Sequence, residues 1–149
     1  MKSIVVGTDG SETAALALAE ASDLAKATGA KLHIVSAYVP QPGTRLAPDA
    51  PREASWMVGP DVTVDSVLEQ AGGVMRAKGI EAESHSRRGD AADALLEVAD
   101  EQDADLIVVG NKGMTGAKRF LLGSVPNKIS HHARCSVLIV RTTDTPASW

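Results

Sequence analysis

The chain has 149 residues, the length of one domain, and 44% of them are apolar but only 3% aromatic, so its core must be built from Ala, Val, Leu and Ile. So few aromatics argue against a base-stacking nucleic-acid platform, and a net charge of −4 with a pI near 5.5 argues against a nucleic-acid groove. No apolar run approaches membrane-spanning length, and the segment from Met1 to Gly7 lacks the apolar core and cleavage site of a signal peptide, which implies a cytoplasmic protein.

Taken in chain order, Ser3 to Thr8 is an almost continuously apolar strand candidate followed by the loop Asp9-Gly10-Ser11. Ser11 to Thr28 is an alanine-rich helix with Ala14, Leu18, Ala21 and Ala25 on one face, Ser11 as its N-cap and Gly29 as its stop. Lys31 to Ala37 is the second strand. The stretch from Val39 to Pro60, with prolines at 40, 42, 48, 51 and 60, is too long for a plain connector. It reads either as a flap or partner-binding loop or as a mobile surface insertion, and Trp56 and Met57 favour contact with another molecule. Asp61 to Lys78 is an amphipathic helix carrying Val64, Val67, Leu68, Ala71, Val74 and Met75 on one stripe and ending before Gly79.

The third strand candidate is Ile80 to Ser86, and the third helix, Asp90 to Gln102, carries Ala91, Ala94, Leu95, Val98 and Ala99 on one side. Asp105 to Val109 is the fourth strand and Ser136 to Arg141 the fifth. Between them a last helix opens near Ser124 with Val125, Ile129 and Ala133 on its apolar side; Pro126 fits there because a first-turn N–H is not needed. Strands alternating with helices predict an α/β fold: one domain over residues 1–149 built on a five-stranded, doubly wound parallel sheet, Rossmann-like in type. The first, fourth and fifth strands, being the most apolar, are expected at central or doubly covered positions. Ligands of such sheets bind beyond the carboxyl ends of the strands where the strand order reverses, so the loops after strands 1 and 4 are the expected walls of a crevice.

Charge and glycine content single out the same region. Residues 1–105 carry 18 acidic and 9 basic side chains, residues 106–149 only 1 and 6, and no acid occurs between Asp105 and Asp144. Inside that acid-free stretch Gly110, Gly113, Gly123 and Ser124 are spaced Gly-x2-Gly-x9-Gly-Ser. The run starts at the end of a strand and finishes at the start of a helix. Glycines let backbone approach an anion, and free N–H groups backed by a helix dipole favour negative charge, so this is a candidate phosphate cradle. Lys112, Lys118 and Arg119 are candidate phosphate contacts whose ordinary role is a solvated surface charge. His33 and His85 fall within strands and read as structural. His131 and His132 close the last helix with no metal-ligand partner nearby, so no metal residue is assigned. Cys135 is expected to be a small buried hydrophobe.

The residues Ile4 to Ala14 around Asp9-Gly10-Ser11, together with Gly110, Gly113, Gly123 and Ser124, resemble the universal stress protein family in its ATP-binding form. Arg88-Gly89-Asp90 is similar to the short glycine turn before the family's third helix. The resemblance implies the universal stress protein fold and an adenine nucleotide, ATP or cyclic AMP, across the crevice. Its base and ribose would lie near Gly7, Thr8, Asp9 and Val39, with Asp9 able to help hold a divalent ion, so that Mg2+ would accompany ATP. Gly110 would lie under the ribose. Lys112, Gly113, Gly123, Ser124 and Val125 would meet the phosphates. Asn111 and Lys112 stand where many relatives carry Ser or Thr followed by His or Arg, which keeps the charge and alters its geometry. The resemblance also implies a homodimer through the last strand, with Val137, Leu138, Ile139 and Val140 at its centre.

The functions weighed are a nucleotide-binding regulatory module of the stress response, a slow ATPase, and a nucleotide-free dimeric interaction protein. No Walker Gly-x4-Gly-Lys-Ser/Thr is present and the glycine-rich stretch holds no carboxylate to position water, so no catalytic residue is assigned.

Overall fold

Residues 1–38, 60–111 and 124–141 are described by a computed structural model of the chain. They form strands β1 (Ser3–Gly7), β2 (Lys31–Tyr38), β3 (Ala82–Arg88), β4 (Leu106–Gly110) and β5 (Ser136–Val140), and helices α1 (Glu12–Thr28), α2 (Pro60–Ala77), α3 (Ala91–Glu101) and α4 (Ser124–His132). All neighbouring strands are parallel, in the order β3-β2-β1-β4-β5. This is the doubly wound α/β sheet expected.

Alternation along the strands divides the core in two. Ile4, Val6, Leu32, Ile34, Leu106 and Val108 point to one face, where α1 and α2 cover them with Leu18, Ala21, Leu68 and Met75. Val5, Val35, Ile107 and Val109 point to the other, against Ala94, Leu95 and Val98 of α3 and Ile129 of α4. Local chemistry sets the helix ends. Ser11 caps α1 by accepting the Ala14 N–H at 3.1 Å, and Gly29 ends it in the left-handed region at φ 74°. Asp90 caps α3 by accepting the Asp93 N–H at 3.2 Å.

Several expectations need correction. β5 is an edge strand and only partly buried, whereas β2, with polar His33 and Ser36, is interior and buried from Leu32 to Ser36. Ile80 is not in a strand: its N–H donates to Met75 O at 3.0 Å in the turn that ends α2, and β3 begins at Ala82. Val74 is on the outer side of α2, 45% exposed. Cys135 is half-buried rather than buried; burial first, then the Asp100 and Asp105 carboxylates, push its thiol up. The Val39 to Pro60 reading falls on residues outside the described ones, apart from Pro60 at the start of α2. No helix among the described residues is long and apolar enough to cross a membrane.

Candidate functional site

The neighbours β1 and β4 part company at their carboxyl ends. Their pairing runs from Ile4–Leu106 to Val6–Val108. Beyond it the β1 backbone bonds toward β2, with Thr8 N–H donating to Val35 O at 2.9 Å, and the β4 backbone bonds toward β5, with Asn111 N–H donating to Val140 O at 2.7 Å. The two chains leave the sheet toward opposite neighbours, which opens the crevice of a topological switch point between them.

The first wall is a tightly bonded loop. Thr8 is buried and its Oγ1 accepts the Gly10 N–H at 3.1 Å. Asp9 Oδ1 accepts the Ser11 N–H at 2.9 Å, so the carboxylate braces the residue that caps α1, and Ser11 itself does the capping. Gly10 has φ +84°, and a Cβ there would stand 2.9 Å from Val67 Cγ2. Beside this wall lies a groove of about 120 Å³ lined in part by Thr8, Gly10, Ser11, Leu18, Val67 and Val74. The contribution of α2 to this wall was missed in the sequence, where Val67 and Val74 read simply as part of the helix's inward stripe.

Gly110 closes β4 opposite Val140 and is partly exposed on the second wall. Ser124 and Val125 open α4, Ser124 exposed and Val125 packed against the α3 side of the core. Pro126 is buried in the first turn, where it needs no backbone donor. Lys128, one turn on, reaches Asp93 Oδ1 at 2.8 Å and Asp90 Oδ2 at 3.5 Å in the first turn of α3, and the Asp93 hydrogen bond holds its ammonium above the ordinary lysine value. That pairing places the N-terminal ends of α3 and α4 side by side, both directing first-turn N–H groups to the carboxyl edge of the sheet. Gly7, Thr8 and Asp9 thus stand on one wall and Gly110 on the other. Val39, Lys112, Gly113 and Gly123 lie outside the described residues, as do Lys118 and Arg119.

Over residues 1–141 the sequence matches the universal stress protein family. The chain belongs to this family. Universal stress protein Rv1636 of Mycobacterium tuberculosis (strain ATCC 25618 / H37Rv) is 41% identical over 145 residues, covering 95% of this chain and 97% of that protein. A crystal structure of a universal stress protein in complex with cAMP is 37% identical, with a TM-score of 0.71 and coverage of 95% of this chain and 98% of that one. The universal stress protein from Archaeoglobus fulgidus in complex with dAMP is 26% identical, with a TM-score of 0.68 and coverage of 95% and 98%. The universal stress protein fold is therefore shared with relatives whose structures are complexes with cAMP and dAMP.

Proposed function

We propose that this universal stress protein is a regulatory module that binds an adenine nucleotide in the crevice between the carboxyl ends of β1 and β4. The observation that carries the reading is the divergence of Thr8 toward Val35 and Asn111 toward Val140, which leaves a cleft between the carboxyl ends of β1 and β4. The cAMP and dAMP complexes of relatives with this fold support the adenine nucleotide.

In this reading Gly7, Thr8 and Asp9, with Val39, take the base and ribose, and Asp9 has a carboxylate for Mg2+ when ATP is the ligand. Gly110 lies under the ribose. Lys112, Gly113, Gly123, Ser124 and Val125 receive the phosphates through backbone N–H groups, the Ser124 hydroxyl and the Lys112 ammonium. The bound state is read out through a homodimer formed by β5, which has no outer partner strand among the described residues and carries Val137, Leu138, Ile139 and Val140.

Calorimetric titration of nucleotide-free protein with ATP plus magnesium and, separately, with cyclic AMP tests this. Tight ATP binding identifies a cradle for several phosphates, and preference for cyclic AMP identifies a one-phosphate site. No heat with either, in protein shown to be folded, overturns nucleotide binding and leaves a dimeric interaction protein.

A further inference from the structure

On the β2–β3 side of the sheet, beyond β1 from the β1–β4 crevice, two histidines from neighbouring strands meet on one sheet face. His33 of β2 and His85 of β3 are 52 positions apart in sequence, yet His33 Nδ1 and His85 Nε2 stand 3.0 Å apart. The register explains it: His33 is opposite Glu83 and Val35 opposite His85, so all three polar side chains leave the same face of a parallel pair. Both rings are buried, at 2% and 8% exposure. Glu83 Oε1 lies 3.8 Å from His85 Nε2, while its other oxygen, Oε2, is held by Lys31 Nζ at 2.7 Å. One donor atom from each of His33, Glu83 and His85 lies within 4.8 Å of the other two.

We propose that His33 Nδ1, His85 Nε2 and Glu83 Oε1 form a binding site for a divalent transition-metal ion of the zinc class, an ion that clips edge strand β3 to β2. Zinc takes imidazole nitrogen and carboxylate oxygen at about 2.0–2.2 Å, so tetrahedral donors stand about 3.3 Å apart. The observed 3.0 and 3.8 Å bracket that spacing. The two rings must turn slightly from the line of their hydrogen bond, and the Glu83 carboxylate, half exposed on an edge strand, must swing toward them. Two nitrogens and one oxygen leave a fourth position for water, and this donor set selects borderline ions over magnesium or calcium.

A neutral imidazole carries one hydrogen on one ring nitrogen and a lone pair on the other. In the ion-free pair one hydrogen bridges the two rings. An entering ion takes its place, and the ring that donated carries its hydrogen on its other nitrogen, with no net proton change. Lys31, itself exposed, holds the Glu83 oxygen that the ion does not use and can turn with the carboxylate, as outer partners of metal carboxylates do.

The test is titration of chelator-treated, full-length protein with Zn2+, alongside Co2+ as a spectroscopic probe. The expected result is one ion per chain, a raised thermal midpoint and the visible absorption of four-coordinate cobalt. Glu83→Gln and His85→Gln should each weaken zinc binding by more than the about 10–100-fold typical of losing an outer partner, with folded circular dichroism spectra. His131→Gln with His132→Gln serves as the control for chance binding at the exposed histidines and should leave the affinity unchanged. Absence of zinc binding by the wild-type chain, or wild-type affinity in either Glu83→Gln or His85→Gln, overturns the proposal and leaves the pair as a hydrogen bond between strands.

Discussion

Leu95 fills the space where a side chain on Gly7 would begin: a Cβ at Gly7 would stand 3.0 Å from Leu95 Cδ1 and 3.2 Å from Cδ2. Leu95 is buried to 1% exposure, so it has little room to retreat. The glycine at the end of β1 therefore fits the close approach of α3 to the sheet, whatever the crevice holds. Gly7→Ala should cost about 1–3 kcal/mol by overpacking, and Leu95→Ala about 2–5 kcal/mol through the cavity it leaves. Together they should cost less than their sum, because truncating Leu95 vacates the volume the new methyl needs. Denaturant unfolding of the four proteins measures this. Strict additivity would show that Leu95 is not what bars a side chain at position 7.

Gly10 presents a different obstacle, since its backbone is left-handed at φ +84° and its would-be Cβ meets Val67 Cγ2 at 2.9 Å. Gly10→Ala should lose about 1–2 kcal/mol from the backbone alone, with the contact added to it. Val67→Ala in the same chain should recover the contact part and leave the backbone part. Thermal unfolding separates the two, and complete recovery by Val67→Ala would mean that the left-handed backbone relaxes at no cost.

Most of the architecture was legible in the sequence because caps and periodicity are local signals. The Ser11 cap, the Gly29 stop and the stripes of α1 and α3 depend on residues three or four apart, and they appear where expected. Strand position was not legible, since burial on both faces depends on neighbours that the chain supplies later. β5 is as apolar as a central strand yet ends at the sheet edge, and β2 carries His33 and Ser36 into the interior. β3 begins two residues later than its apolar lead-in suggests because Ile80 is used to close the last turn of α2. Of the crevice, the turn at Asp9-Gly10-Ser11 and the position of Gly110 could be read. The packing of Leu95 on Gly7 and Val67 on Gly10 could not, because each joins elements whose meeting is set by the sheet. The same limit hid the His33–His85 pair, which strand register alone creates.

Asp105 ties the amino ends of β1 and β4 together: its Oδ2 accepts the Lys2 N–H at 2.6 Å and the Ser3 N–H at 3.0 Å. These backbone donors, Lys2 first and Ser3 second, hold its carboxyl below the ordinary 3.8. A depressed folded value means stability that is present in full above pH 3.8 and is lost as pH falls from there through the folded value. Asp105→Asn should therefore be less stable than wild type at neutral pH. The difference should shrink in acid, where the wild-type carboxyl is protonated and accepts the same donors weakly. Unfolding midpoints of both proteins from pH 7 to pH 2 provide the comparison, and a difference that stays constant over that range would remove the charge from the account.

Ile139 is the place to test the proposed dimer. Among the described residues β5 pairs only with β4 and has no second neighbour in the sheet, and Ile139 on it is 36% exposed. An apolar strand edge left bare is a template for another chain, and pairing with its own copy is the symmetric way to cover it. Ile139→Lys should leave the single chain folded, because the side chain already meets solvent there, yet place a charge where two copies would meet. The dimer dissociation constant should rise by more than tenfold, which corresponds to about 1.4 kcal/mol, read by sedimentation over a range of concentrations. Val74→Lys, on the outer side of α2 at 45% exposure, makes an equal change in charge far from β5 and should leave the assembly unchanged. A monomeric wild type at micromolar concentration, or an Ile139→Lys protein that dimerises as the wild type does, would remove β5 as the interface. Loss of the dimer by Val74→Lys but not by Ile139→Lys would move the interface to the face of α1 and α2.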